Sequence, residues 1–295
     1  MDSRSVSCIG LGLLGSAMTS RLIGAGWKVS GFDISADRCL AFGQSGGLVA
    51  TSALDAAANS ILLLSLPTSD IAGAVLSEIE SVLRPGTIVV DTTTGRPGQM
   101  ELFARTLAAR DIVYLDATVG GASQLMRDGE AILMCGGDSA AFDRCGQLFS
   151  DLARQTFYCG PSGSGARMKL VMNLVLGLNR AVLAEGLSFA ERLGIDAGQT
   201  LEVLKSGPAW SRAMDHKGKK MLSAEFGPQA RLAQHLKDVR LILELAEQVE
   251  AVVPLSQVHS ALLTQLVEQG SGDLDNSAII RAYQSPPGEL SDDSQ

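Results

Sequence analysis

Lys169 and Asn173 stand four residues apart in the run Gly165-Ala-Arg-Met-Lys169-Leu-Val-Met-Asn173. In a helix, that spacing puts both on one face, about one turn apart. An amine and an amide so placed could move a proton and hold an oxygen. Apolar neighbours (Met168, Leu170, Val171, Met172, Leu174, Val175) are expected to desolvate Lys169. Desolvation disfavours the ammonium form and lowers the pKa, as a general acid–base near neutral pH requires. Asn173 can donate and accept, so it can orient a substrate oxygen or the amine. From this helix alone, a lysine snorkelling from the helix edge with Asn173 as a satisfied core amide is the stronger alternative.

A second cluster lies near the N-terminus. Gly10-Leu11-Gly12-Leu13-Leu14-Gly15 is a G-x-G-x-x-G turn that follows an apolar strand and opens a helical run. The first glycine makes the turn, the second admits a pyrophosphate to the backbone, and the third lets helix and strand pack closely. The helix N-terminus supplies N–H groups and partial positive charge for phosphate. Asp33 ends the next strand, eighteen positions after Gly15, where an acid can accept hydrogen bonds from ribose hydroxyls. It would repel a 2′-phosphate, and Ile34 and Ser35 follow it, so NAD is the expected cofactor. Arg38 keeps NADP open. A flavin site or a plain tight turn are the other readings of the glycines.

These residues need elements to hold them. Strand signals recur at 6–10, 29–33, 61–66, 87–91, 112–116 and 131–135, with helical runs at 16–25, 70–83, 97–109 and 139–152. Alternating strands and helices imply parallel pairing by right-handed crossovers, hence a doubly wound sheet. After Gly160-Pro-Ser-Gly-Ser-Gly165 the pattern becomes helical, at 166–193, 198–206, 229–248 and 255–269. The predicted fold is therefore α/β: an N-terminal Rossmann domain over 1–161, joined by a long helix to an all-helical domain over 162–284. A disordered tail is expected over 285–295, which is rich in Pro, Gly, Asp and Ser.

Composition narrows the function. The 295 residues carry 24 Lys and Arg against 32 Asp and Glu, a net charge of -8. An acidic chain without a basic run lacks the footprint of a nucleic-acid binder or a polybasic membrane patch. Five cysteines, an odd number with no C-x-x-C pair, point to a reducing compartment rather than a disulfide framework. His216, His235 and His259 show no ligand spacing, so no metal is expected. No signal-peptide pattern opens the sequence, and a cytoplasmic location follows as the expectation. The apolar stretch from Met168 to Ala190 is interrupted by Lys169, Asn173, Asn179, Arg180 and Glu185. It reads as a buried core helix rather than a membrane span.

Together the blocks resemble the β-hydroxyacid dehydrogenase family, which includes 3-hydroxyisobutyrate dehydrogenases and tartronate semialdehyde reductases. Four blocks carry the resemblance in order, over nearly the whole chain to about Tyr283. They are Gly10–Gly15; Asp116-Ala-Thr-Val-Gly-Gly-Ala122, similar to D-x-P-V-S-G-G; Gly165-x-x-x-Lys169-x-x-x-Asn173, matching G-x-x-x-K-x-x-x-N; and Lys237-Asp-Val-Arg-Leu241, similar to K-D-x-x-L. The resemblance implies that Lys169 exchanges the hydroxyl proton and Asn173 positions the substrate. It also implies that the backbone of Gly120, Gly121 and Ala122 holds the substrate's acid group and that Lys237 approaches the nicotinamide side. Thr94 and Leu66–Pro67 match cofactor-contacting segments. The alternative for Lys237–Asp238 is a solvated charge pair.

The departures bear on substrate. Thr118 stands where the family has Pro, Gly120 where it has Ser and Ala122 where it has Gly. Sulfolactaldehyde reductases are similar in having Gly at the Gly120 place, but they follow it with an Arg where this chain has Gly121. Ser123 or Thr118 is the candidate for a replacement hydroxyl. Trp210, Ser211, Arg212 and Lys217 fall where the family closes over substrate. Arg212 is an anion-anchor candidate, with a solvated surface arginine as the alternative.

The resulting expectation is an NAD(P)-dependent oxidoreductase acting on a small 3-hydroxy acid or its semialdehyde, as a homodimer or homotetramer. It would bind neither nucleic acid nor membrane. The rivals are a reductase for a sulfonated or larger aldehyde acid and a dinucleotide-binding sensor without turnover.

Overall fold

A computed structural model describes residues 4–121 and 123–284. Expectations for Ala122 and for the tail 285–295 lie outside the described residues. The chain divides into two compact units, Met1–Lys169 and Leu170–Gln295.

The first unit alternates β1 (Ser5–Ile9), α1 (Leu13–Gly24), β2 (Lys28–Phe32), α2 (Ala36–Gln44), β3 (Leu48–Val49), α3 (Ala53–Ala56), β4 (Ile61–Leu64), α4 (Ser69–Ile79), β5 (Ile88–Asp91), α5 (Pro97–Ala108), β6 (Val113–Gly120), α6 (Ser123–Arg127), β7 (Ile132–Gly136), α7 (Ser139–Arg144), α8 (Gly146–Leu152) and β8 (Gln155–Gly160). Its sheet has the order β3-β2-β1-β4-β5-β6-β7-β8. Successive strand residues bury on opposite faces. Val6, Cys8 and Leu63 enter one core, while Ile9, Leu62 and Leu64 enter the other. Leu62, Leu63 and Leu64 are all fully buried, each stabilising the fold by about 1.5–3 kcal/mol. That two-sided burial is why β4 reads as a continuous apolar run.

The all-parallel expectation is corrected at one place. β7 runs antiparallel to β6, from Asp116↔Gly136 to Gly120↔Ile132. The connection 121–131 is too short for a parallel crossover, which takes a dozen or more residues. The edge strand β8 pairs parallel with β7.

The helix α9 (Ser164–Arg192) runs through the division between the units. The boundary expected at 161/162 precedes the observed one because the first turn of α9 is bonded to the sheet. Asp116 accepts the N–H groups of Gly163 at 2.7 Å and Ala166 at 2.8 Å.

The second unit continues with α10 (Ala197–Ser206), α11 (Arg212–Ser223), α12 (Leu232–Gln248), α13 (Pro254–Leu266) and α14 (Arg281–Gln284). Leu183, Ala184 and Leu187 of α9 pack with Leu201, Met214, Leu236 and Leu263 in its core. α9 is long and apolar enough, by length and composition, to cross a membrane. The expected core helix is buried in part, with Val171, Val175, Val182 and Phe189 exposed.

Candidate functional site

The predicted cofactor residues of the first unit gather at one edge of the sheet. Gly10 follows β1, Asp33 follows β2, Leu66–Pro67 follow β4 and Thr94 follows β5. These strands are parallel neighbours, so their carboxyl ends open the crevice where the strand order reverses.

Each glycine of the turn has its own reason. Gly10 has φ +97°, and a Cβ there would collide with the Ser65 carbonyl. A Cβ on Gly15 would collide with the Gly10 carbonyl oxygen. At Gly12, among the described residues other than its chain neighbours, the only atom within 4 Å of a built Cβ is Nη1 of Arg38, at 3.9 Å. The protein itself therefore does not require glycine at Gly12, but a ligand approaching the backbone would. The N-terminus of α1 has no side-chain cap and no acid in its first turn. Its open N–H groups and dipole suit an anion. The residues present thus fit the pyrophosphate of a dinucleotide.

Asp33 is buried and accepts the N–H groups of Leu11 at 2.8 Å and Ser35 at 2.9 Å. Those bonds turn its carboxylate toward the glycine loop. Arg38, 55% exposed, pairs with it at 3.3 Å. Leu66 donates its N–H to Oγ1 of Thr93 at 3.3 Å, tying two of the loops together. Behind them Asp91 accepts from the Thr93 N–H at 2.8 Å and the Tyr114 hydroxyl at 2.7 Å. Burial pushes the Asp91 carboxyl up to about 6 despite these donors.

The block beginning at Asp116 is mostly a mount for α9. Both Asp116 oxygens accept N–H groups at the start of the helix, where a carboxylate also meets the positive end of the dipole. Burial nevertheless raises its pKa. A Cβ on Gly165 would collide with the carbonyl oxygens of Asp116 and Met134, so glycine lets the helix seat on β6 and β7. Thr118 is fully buried, and its hydroxyl lies 3.0 Å from the Gly165 carbonyl and 3.3 Å from that of Met134. Its one proton is committed to the scaffold. Gly120 ends β6, Gly121 takes φ +133°, and Ser123 opens the short α6.

Lys169 is half-buried. Met168 and Val171, invoked from sequence as its apolar shield, are both exposed, since helix rotation turns adjacent residues onto other faces.

In the second unit, buried Asn173 donates from Nδ2 to Asp238 at 2.9 Å. A carboxylate only accepts, so it fixes which end of the amide faces it and leaves the Asn173 carbonyl oxygen as the other end. The other Asp238 oxygen lies 3.1 Å from Nζ of Lys237. Lys237–Asp238 is therefore not simply a solvated pair, because Asp238 is buried. Beside Asn173, Gly177 sits under two rings. A Cβ there would lie 2.6 Å from Nε2 of His235 and 2.9 Å from Cε1 of His259. Burial, then the nearby Arg180, lower His259 to about 4.

Two family-position candidates have partners within the protein. Lys217 is buried and bonds both oxygens of Asp275, at 2.8 and 2.9 Å. Asp275 also accepts the N–H groups of Gln229, Ala230 and Ser277. This pair pins α11 to the turn before α12. Arg212 is exposed and donates to Nε2 of His216 at 3.2 Å. Among the described residues, no group of three or more His, Cys, Asp or Glu could hold a metal. All five cysteines are free, and burial pushes Cys8 up to about 12 and Cys145 to about 11.

Comparison with known proteins agrees with this geometry. Residues 5–160 match the profile of the NAD binding domain of 6-phosphogluconate dehydrogenase. Residues 163–283 match that described as NAD-binding of NADP-dependent 3-hydroxyisobutyrate dehydrogenase. An uncharacterized oxidoreductase of Synechocystis is 30% identical over 96% of this chain and 99% of its own. The cytokine-like nuclear factor N-PAC of Xenopus tropicalis is 28% identical over 95% of this chain but 53% of its own. The chain thus spans about half the length of several curated relatives it matches. A glyoxylate/succinic semialdehyde reductase of Arabidopsis thaliana is 27% identical over 94% of this chain and 97% of its own. In fold, the chain is similar to a Mycobacterium tuberculosis 3-hydroxyisobutyrate dehydrogenase solved with L-serine (TM-score 0.88, 24% identity, 96% and 99% covered). The chain belongs to the NAD(P)-binding β-hydroxyacid dehydrogenase family, which includes 3-hydroxyisobutyrate dehydrogenases.

Proposed function

We infer that this oxidoreductase interconverts a small 3-hydroxy acid and its semialdehyde, with Lys169 as general acid–base. The observation that carries this reading is the anchoring of the Lys169–Asn173 face of α9. Asp116 bonds the helix start and Asp238 bonds the Asn173 amide. Bound NAD(P) supplies the hydride acceptor or donor. In the first unit it would be held by the glycine turn Gly10–Gly15, through the N–H groups left open at the start of α1, and by Asp33, Leu66, Pro67 and Thr94; Lys237 is the cofactor-side candidate of the second unit. In the oxidative direction Lys169, as the neutral amine, takes the hydroxyl proton while hydride leaves the carbinol carbon. In reduction, its ammonium returns that proton to the carbonyl oxygen. The main chain at Gly120, Gly121 and Ala122 would hold the acid group, with Ser123 beside it. Thr118 acts here as scaffold, and Arg212 as an outer anion contact.

NAD is favoured because Asp33 is aimed at the glycine turn. Arg38, already beside it, is the group that would receive a 2′-phosphate. The exposed Val171, Val175, Val182 and Phe189 support a homodimer or larger homo-oligomer formed through α9. The free cysteines support a reducing, cytoplasmic setting.

The test is reduced-nicotinamide absorbance with NAD and NADP across 3-hydroxy acids and semialdehydes. Lys169→Ala should lower kcat by about 10²–10⁴-fold while cofactor binding stays. Tight NAD(P) binding with no turnover on any acid would instead favour a dinucleotide sensor.

A further inference from the structure

Arg180 is a buried charge that the chemistry above does not use. It is 5% exposed, and among the described residues it makes no hydrogen bond or ion pair. The nearby carboxylates each have a closer cation, although Asp238 Oδ1 makes no hydrogen bond among the described residues. Asp238 pairs with Lys237 at 3.1 Å, and Asp275 with Lys217 at 2.8 Å and Lys220 at 3.9 Å. His259 is neutral at pH 7. The guanidinium is thus a buried positive charge without an ion pair of its own, stabilised only at longer range by Asp275 and Asp238. Burial lowers its pKa to about 10, with Asp275 and Asp238 opposing the drop, so it remains a cation. Removing an unpaired ion from water costs several kcal/mol, and a guanidinium forks onto carboxylates with bidentate geometry.

Its place on α9 says which anion. Arg180 follows Asn173 by seven positions. At about 100° per residue it returns to nearly the same face, about 10 Å farther along the axis. Helical side chains lean toward the helix N-terminus, the end of α9 at which Asn173 lies.

We propose that Arg180 is a specificity residue that receives a second carboxylate of the substrate, so that the preferred substrate is a dianion. The ligand class is a 3-hydroxy acid or semialdehyde with a further acid group beyond the carbon positioned at Asn173. This deepens the hydroxy-acid reading and rests on it.

The test has two arms. In the first, kcat/KM is measured for the monoacids 3-hydroxypropanoate and 3-hydroxyisobutyrate and the diacids 2-(hydroxymethyl)succinate and 3-hydroxyglutarate. Wild type should favour a diacid by about 30-fold or more, on the scale of a charge-assisted bidentate pair. Arg180→Met should abolish that preference and leave the monoacids within about threefold, while Arg180→Lys, a point charge without the fork, should fall between. In the second arm, Tm is followed with glutarate or butyrate at matched ionic strength. Glutarate should raise Tm in wild type and not in Arg180→Met. Equal handling of monoacids and diacids by wild type, or an equal loss on both in Arg180→Met, would overturn the proposal, as would equal glutarate shifts in the two proteins. If no acid turns over yet glutarate still discriminates, the anion site stands and the hydroxy-acid reading fails. If Arg180→Met does not fold, the wild-type ratio and Arg180→Lys decide.

Discussion

Asp238 accepts the amide hydrogen of Asn173 at 2.9 Å across 65 positions of sequence. This one bond orients the amide. Asp238→Asn keeps size but removes the acceptor-only oxygens, so the Asn173 amide can face either way. We expect kcat/KM to fall about 10–100-fold, or about 1.4–2.7 kcal/mol. Steady-state kinetics alongside Tm checks it. A Tm loss without a change in kcat would assign the bond to stability alone.

The glycines of the turn separate fold from ligand. Gly10→Ala should destabilise the apo protein, because its Cβ meets the Ser65 carbonyl at a positive φ. Gly12→Ala has room in the protein and should leave the apo Tm within about 1–2 °C, a ΔΔG well under 1 kcal/mol. Its NADH Kd should nevertheless rise about tenfold or more, about 1.4 kcal/mol. Calorimetric titration measures the second effect.

Gly165→Ala should force α9 away from β6, costing about 1–3 kcal/mol as an overpacked site and lowering turnover. Gly98→Ala is the control. It is an exposed helical position with nothing within 4 Å of a new Cβ, and it should be neutral or stabilising by up to about 1 kcal/mol. Urea midpoints of the two variants give the comparison.

Asp33 and Arg38 should set cofactor choice. Asp33→Ser removes the charge that repels a 2′-phosphate and frees Arg38 to meet it. The ratio of NADP to NAD affinities should rise by at least about tenfold. Adding Arg38→Ala should reverse most of that gain. An unchanged ratio in both variants would remove these residues from cofactor selection.

The two units should respond to acid in opposite senses. Burial raises Asp91 to about 6, so the folded first unit takes up a proton before the unfolded chain does. Its contribution grows as pH falls from about 6 to 4, by up to about 3 kcal/mol. Asp275 is held at about 2: burial would raise it, but Lys217, the Gln229 N–H and Ser277 outweigh burial. Its contribution is present above about pH 4 and is lost as pH falls toward 2. Trp27 lies in the first unit and Trp210 in the second. Fluorescence of Trp27→Phe and Trp210→Phe variants should therefore show the helical unit melting first below pH 4.

The sequence revealed what depends on local spacing. The glycine turn, Asp33, the Lys169–Asn173 interval and the Lys237–Asp238 pair are all readable within a few residues. The partnerships were not readable, because they join distant positions. Asn173 meets Asp238, Thr118 meets Gly165, and Asp116 meets the start of α9. The helix α11 is not legible from apolar periodicity, because Lys217 and Gly218 occupy its inward face alongside Ala213, Met214 and Met221. Arg180 was visible only as an interruption of an apolar run. Counting its helical phase from Lys169 and Asn173 would have placed it on their face.

The committed hydroxyl of Thr118 and the bare backbone of Gly120 and Gly121 bear on how this protein can adapt. A segment that offers Ser123 but no side chain at Gly120 or Gly121 has little that point mutation can retune, and Gly121, at φ +133°, resists replacement. Divergence in substrate range would then fall to side chains on α9, where one substitution can change preference while the sheet edge stays as it is.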